Sequence, residues 1–359
     1  MSRRHSKRLL AERQVLRLCG GGGDTTLLSA CGNALLPFVS TLDARALRAT
    51  CREGRGVVAA FPFEEAGYWS EVDQEWKPGT LIGGRTGVRA SVCLRRWRAC
   101  FPNARGANVS GTALTLADAR RYLTGMRALD ISECPQITGE WFSQAFMGIE
   151  RLYMNDCYGV EDGAFAATRD TLKYLVCGNC FQLTDAAFPH LGGLETLVMW
   201  NIALSDAAFE HLKGVKTLLM GNCSQETITD AAFEHLQGVE RLLMFGCDQE
   251  TITDTAFKHL EGGHLRQLDI SGCNQGTLTD DLFHSVKGAL EELNMEGCTQ
   301  LSDEGLKQLG LLKRLNVRDC PQLSGAFLDH CPALASISLA GCAKEVRRKA
   351  KARGLEITQ

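Results

Sequence analysis

The chain has 359 residues, 45% hydrophobic and 23% charged, with a formal net charge of −3 and a pI near 6.3. This composition fits a folded protein of two domains or one elongated one and excludes a chain too polar to bury a core. The near-neutral balance gives no bias towards nucleic acid, and no apolar run approaches the roughly 18 residues of a membrane-spanning helix, so neither partner is expected.

Residues 1–26 read as a basic tail and a Gly-rich linker. Glu12, Arg13, Gln14 and Arg17 break up what would be the apolar stretch of a secretory signal, so a cytoplasmic location is expected. The cluster Arg3, Arg4, Lys7 and Arg8 could be a nuclear address or, with its amphipathic Arg/Leu pattern, a transit peptide, although a solvated basic helix or tail explains it more simply. GGGG at Gly20 to Gly23 lacks the Lys and Ser or Thr of a phosphate loop and reads as a linker. In such a setting the sixteen cysteines are expected to be reduced thiols.

Residues 27–62, LLSACGNALLPFVSTLDARALRATCREGRGVVAAFP, have apolar residues at helical spacing and a turn at Leu42, Asp43 and Ala44. Two or three short α-helices are expected. Leu35, Leu36, Phe38, Val39 and Leu42, with Leu47, Ala49, Cys51 and Arg52 after them, resemble an F-box. That resemblance implies docking of a Skp-type adaptor, and through it a cullin scaffold, on Leu35, Leu36, Phe38, Val39 and Leu42. The alternative is a small helical cap sealing the first unit of a downstream repeat array. Residues 63–100, with Trp69, Trp76 and Trp97, read as an irregular linker or N-terminal cap packed on those repeats, without a stacking pattern for nucleic acid.

From residue 101 to 359 the chain repeats itself. LTDAAFPHLGGLETLVMWNIA, LSDAAFEHLKGVKTLLMGNC, ITDAAFEHLQGVERLLMFGC and ITDTAFKHLEGGHLRQLDISGC run almost without interruption from Leu183 to Cys273. Cys134, Cys157, Cys180, Cys223, Cys247, Cys273, Cys298, Cys320 and Cys342 align at intervals of 21 to 26 residues, with Ile202 filling the one gap. Ala104, Ala107 and Val109 begin the array as a half-copy.

Each unit combines two periods. Leu197 and Met199, and their equivalents Leu218 and Met220 or Leu242 and Met244, alternate as in a short strand with one buried face. Phe188 and Leu191, or Phe233 and Leu236, are spaced as in a helix, after Thr184, Ser205, Thr229, Thr253, Thr279, Ser302 or Ser324 as cap. The Asp that usually comes next suits the positive end of the helix dipole. One strand and one helix cannot bury their own apolar faces, so the units must stack into a solenoid. Strands about 4.8 Å apart and helices about 8 to 10 Å apart would curve it.

The pattern LxxLxMxxCxxLTDxAFxHL resembles the cysteine-containing leucine-rich repeats. The resemblance implies an α/β horseshoe with parallel strands on the concave face and helices outside, used mostly to bind proteins.

Stacked backbones hold the aligned cysteines apart, so neither disulfides nor a metal site is expected of them; a small thiol contacting a loop carbonyl fits the turn after each strand. His190, His211, His235 and His259 recur at one helical position, spread too far for a common metal. No cofactor and no catalytic group is expected, and EVRRKAKARGLEITQ should form a closing helix and strand.

The positions between the buried strand residues face the concave side. They hold Arg151, Tyr153 and Asn155, then Tyr174, Val176 and Gly178, then Thr196, Val198 and Trp200, then Thr217, Leu219 and Gly221, then Arg241, Leu243 and Phe245. Later repeats turn polar, with Glu292, Arg314 and Arg318. Such an apolar strip marks an interaction site, unless a loop or terminal segment of the same chain covers it. Tyr153, Tyr174, Trp200 and Phe245 are the expected anchors, Val176, Val198, Leu219 and Leu243 the surface between them, and Arg241, Glu292, Arg314 and Arg318 the margin. The combined expectation is a non-catalytic substrate receptor of a cullin-type ubiquitin ligase that binds a protein on the concave face. A stand-alone repeat scaffold or inhibitor is the alternative.

Overall fold

The computed structural model describes residues 67–70, 75–78 and 88–358, in two compact units that divide after Gly159. The adaptor-binding residues Leu35, Leu36, Phe38, Val39 and Leu42 lie outside the described residues.

In the first unit, β1 (Gly67–Ser70) and β2 (Glu75–Pro78) pair as an antiparallel hairpin. A helix of 13 residues comes next, α1 (Val88–Cys100). The stretch read as an irregular linker therefore contains three regular elements. Ala90, Leu94 and Trp97 form a buried stripe at helical spacing along α1. Arg95, Arg96 and Arg98 are interleaved with that stripe, which lowers the mean hydropathy and hides the helix from a reading of composition. Trp97 packs against Phe101 with ring centroids 6.1 Å apart, and Arg98 Nη1 donates to Ala104 O at 2.8 Å.

The repeats begin where the half-copy was expected. β3 (Gly106–Asn108), β4 (Ala128–Asp130) and β5 (Arg151–Tyr153) run parallel. Ala104, Ala107 and Val109 are all buried. Helices α2 (Leu116–Tyr122) and α3 (Gly139–Gln144) connect the strands. Thr115 and Asp118 form a reciprocal capping box at the start of α2.

In the second unit nine strands pair in parallel and in chain order. They are β6 (Tyr174–Val176), β7 (Thr196–Trp200), β8 (Thr217–Gly221), β9 (Arg241–Leu243) and β10 (Gln267–Asp269). β11 (Glu292–Asn294), β12 (Arg314–Asn316), β13 (Ser336–Ser338) and β14 (Glu356–Thr358) complete them. The connecting turns are short α-helix in some repeats, as in Asp206–Phe209 and Asp254–Lys258, and 3-10 helix in others, as in Asp185–His190 and Asp230–His235. A repeat of about two dozen residues leaves room for only one or two turns. Lys344–Ala352 and β14 close the array as expected, with Val346 and Ala350 buried.

The core is a set of ladders. Leu197, Leu218, Leu242 and Leu268 and Met199, Met220 and Met244 are 0% exposed on the strands, while Phe209, Phe233, Phe257 and Phe283 stack beneath the helices. Thr184, Ser205, Thr229, Thr253 and Ser302 cap their helices by accepting from the backbone N–H two residues on.

The aspartate after each cap does more than favour the helix dipole. Its carboxylate accepts from both the N–H and the hydroxyl of the next repeat's cap. Asp206 holds Thr229 at 2.7 and 2.7 Å, Asp230 holds Thr253 at 2.7 and 2.7 Å, and Asp254 holds Thr279 at 2.8 and 2.6 Å. These three cap hydroxyls therefore accept from their own helix and donate to their neighbour, whereas Asp303 accepts from the N–H groups of Ser324 and Phe327, and the repeats are stitched by charge-assisted bonds.

Candidate interaction face

The turn that leaves each strand sets the edge of this face. The residue before the aligned cysteine is left-handed, with φ between 51° and 77° at Asn179, Asn222, Gly246, Gly272, Gly297, Asp319 and Gly341. This explains why Asn, Asp and Gly alternate there. The thiols behind it donate to main-chain carbonyls, as their small size and weak S–H suggested. Cys247 Sγ lies 2.8 Å from Met220 O, Cys273 Sγ 3.1 Å from Met244 O, and Cys298 Sγ 3.0 Å from Ile270 O, in each case the buried strand residue of the repeat before. Burial pushes the Cys223 and Cys320 thiols up to about 11 and those of Cys273 and Cys298 to about 12, so they are poor nucleophiles.

Ile202 fills its turn at 1% exposure without a thiol donor. Cys180 and Cys223, in the repeats on either side of it, point to their own repeats' Gly178 O and Gly221 O, each at 3.6 Å. β7 and β8 are each five residues long, against three for the other strands of this unit.

The strand register sorts the outward positions into rows. Val176, Val198, Leu219 and Leu243 are paired in succession across β6 to β9. A second row runs Tyr174, Thr196, Thr217 and Arg241. Tyr174, Val198, Trp200, Leu219, Leu243 and Phe245 are each partly exposed, so this apolar strip meets solvent.

The two rings lie down on glycine. A Cβ on Gly178 would stand 2.0 Å from Trp200 Cε2, and one on Gly221 2.2 Å from Phe245 Cζ. These glycines are what sequence reading missed. The available signal was a glycine one repeat before each aromatic.

Two of the expected contact residues are inaccessible. Val176 is 6% exposed, next in the row to Val198 and two residues before the covered Gly178. Tyr153, in the first unit, is 5% exposed. Around it the outward positions Asn108 and Ala128 are also buried, at 5% and 6%, and the hairpin strands lie against β3 and β4. Cover by the same chain, the alternative to a binding face, is therefore what β3 and β4 have.

The margin residues are engaged with one another. Arg241 Nε donates to Gln267 Oε1 at 2.7 Å, Arg314 pairs with Glu292, and Arg318 Nε lies 3.7 Å from Glu296 Oε1. Asn294 Nδ2 donates to Asp269 Oδ2 at 2.8 Å and Asn316 Nδ2 to Glu296 Oε2 at 3.0 Å. On β10 to β12 the face is thus polar and cross-bonded between strands, with Arg314 exposed and Arg318 Nε making no hydrogen bond.

Among the described residues no three His, Cys, Asp or Glu side chains gather as metal ligands would, and no helix there is long and apolar enough to cross a membrane.

No protein-family model matches the sequence, and no curated protein does. Solved structures do. A chain of the yeast Rad7 and Elc1 complex is similar over 99% of this chain and 92% of its own, with a TM-score of 0.50 and 14% identity. An internalin, inlF, from Listeria monocytogenes is similar over 88% and 93%, with a TM-score of 0.54 and 14% identity. A chain of the TLR13–ssRNA13 complex is similar over 68% of this chain and 37% of its own, with a TM-score of 0.54 and 18% identity. At such identities the likeness is one of fold, and the fold is that of a leucine-rich-repeat solenoid.

Proposed function

We propose that this chain is a non-catalytic protein-recognition module that captures a partner on the outward face of β6 to β9. The observation that carries the reading is the partly exposed apolar strip of Tyr174, Val198, Trp200, Leu219, Leu243 and Phe245, set beside a polar, cross-bonded face. Exposed contiguous apolar surface on a rigid scaffold is the usual mark of a protein-binding site.

The module serves as substrate receptor of a cullin-type ubiquitin ligase in the cytoplasm or nucleus, with residues 27–62 holding a Skp-type adaptor. Two observations support this finer reading. The buried stripe of α1 lies immediately before the first repeat, so residues 27–62 are not needed as its cap. One similarly folded chain belongs to a two-protein complex, that of Rad7 and Elc1, which is the arrangement an adaptor requires.

Co-purification of the full chain with a Skp-type adaptor tests it. The combined substitution Leu36→Asp and Phe38→Asp should abolish adaptor binding while leaving partner capture intact. Failure of the unaltered chain to bind any adaptor, with partner capture retained, would leave the stand-alone scaffold or inhibitor.

A further inference from the structure

The row that carries the two rings has a period of its own. Trp200 pairs with Gly221 in register, Asn179 N donates to Trp200 O at 3.0 Å, and Asn222 N donates to Phe245 O at 2.9 Å. The row therefore reads Gly178, Trp200, Gly221, Phe245, small and large in alternation. Each ring is laid over the glycine of the strand before it, so Trp200 covers the end of β6 and Phe245 the end of β8. Two strand spacings separate these platforms, about 9.6 Å.

A polyproline II helix turns once in three residues of about 3.1 Å rise, about 9.3 Å per turn. That agrees with the platform spacing to a few tenths of an ångström. A β-type peptide repeats a face about every 6.8 Å and an α-helix about every 5.4 Å, so neither meets both rings in the same way.

Charge points to the same ligand. The accessible positions on β6 to β8, namely Tyr174, Thr196, Val198, Thr217 and Leu219 with Trp200, are all uncharged. On β9 the outward Arg241 is held by Gln267. A charged segment laid there would lose hydration without gaining a partner. Prolines carry no side-chain charge and lose little conformational freedom when they dock on aromatic surfaces.

We propose that this face binds an uncharged proline-rich segment of a partner protein, in polyproline II conformation and laid across the strands. Prolines three residues apart sit on Trp200 and Phe245, and Gly178 and Gly221 are positioning residues that let the rings lie flat. The inference rests on the face being the protein-recognition surface. Flat rings also stack nucleic-acid bases, but a phosphate backbone requires basic side chains, which β6 to β8 do not present on this face.

The test is fluorescence anisotropy with the full chain and fluorescein-labelled uncharged decapeptides of one composition, with prolines two, three or four residues apart. The three-residue spacing should bind at least tenfold more tightly than the others. Trp200→Ala, Phe245→Ala and Gly178→Val should each weaken it about tenfold or more, the expected scale for a buried aromatic anchor. Trp200→Leu, which keeps apolar cover over Gly178 but removes the flat ring, should weaken it similarly with an unchanged thermal melt. Indifference to proline spacing, absence of binding by any of the peptides, or tighter binding of single-stranded oligouridylate would overturn the proposal. If the peptides fail while Trp200→Ala with Phe245→Ala still abolishes capture of the partner protein, only this inference falls. If that double variant also leaves capture intact, the recognition reading falls with it.

Discussion

The outward face of the second unit is built in two ways on one scaffold. From β6 to β9 the side chains are apolar, and the two large rings are laid on glycine backbones. From β10 to β12 they are polar and bonded to one another across the strands. Beneath both halves the leucine, phenylalanine and cysteine ladders continue, each half with one apolar exchange, Ile202 for cysteine in the first and Leu306 for phenylalanine in the second. The larger difference therefore lies in the surface. A polar face must give up its hydration and cross-strand bonds to be covered, while a partly exposed apolar strip gains free energy when covered.

Removing both rings should break the contrast most severely. Trp200→Ala with Phe245→Ala is expected to weaken partner capture at least 100-fold, about 2.7 kcal/mol at about 1.4 kcal/mol per tenfold. Quantitative pull-down measures it, with circular dichroism to show that the fold survives. The same treatment of the polar half, Asn294→Ala with Asn316→Ala, should change capture by less than about threefold.

The inter-repeat aspartates should matter equally in both halves. Asp230→Ala and Asp280→Ala each strip two bonds from the next cap, Thr253 or Ser302. Each should cost about 1–3 kcal/mol in urea unfolding. A large loss at Asp230 with none at Asp280 would mean that the scaffold, too, differs between the halves.

Alkaline pH should loosen both halves together. The buried ladder thiols titrate above the ordinary thiol value of 9.0, at about 11 for Cys223 and about 12 for Cys273 and Cys298, because burial disfavours the thiolate. Their contribution to stability is fully present below pH 9. It is lost as pH rises through the folded-state values, because the unfolded chain releases those protons first. The urea midpoint should fall between pH 8 and pH 10.5, and less so in a Cys273→Ala variant compared with itself at pH 8.

The smallest effect is expected at the charged margin. Arg314 is exposed and paired with Glu292, so Arg314→Gln should shift stability by about 0–1 kcal/mol, read from the same urea curves.

The repeat was legible in the sequence because one alternation, one cap and one cysteine recur with every copy, each reinforcing the others. The strand register, the helix caps and the carbonyl-bonded thiols are consequences of that recurrence. Helix α1 was hidden because arginines interrupt its apolar stripe. The aspartate clamp was half seen: its local role at the helix end is readable within one repeat, whereas its bonds to the next cap appear only when two repeats are stacked. The same holds for Gly178 and Gly221, whose meaning depends on the ring one strand away. Tyr153 failed as an anchor for a related reason, since alternation along a strand shows which way a residue points and not what lies over it.

The most direct measurement places a photo-activated cross-linking amino acid at Leu219 or at Asn316, which hold equivalent register positions in the apolar and polar halves. The account predicts a discrete adduct with one partner protein from Leu219 and none from Asn316, and loss of that adduct when Trp200 and Phe245 are both alanine. Equal adducts from the two positions, or an adduct from Asn316 alone, would contradict it.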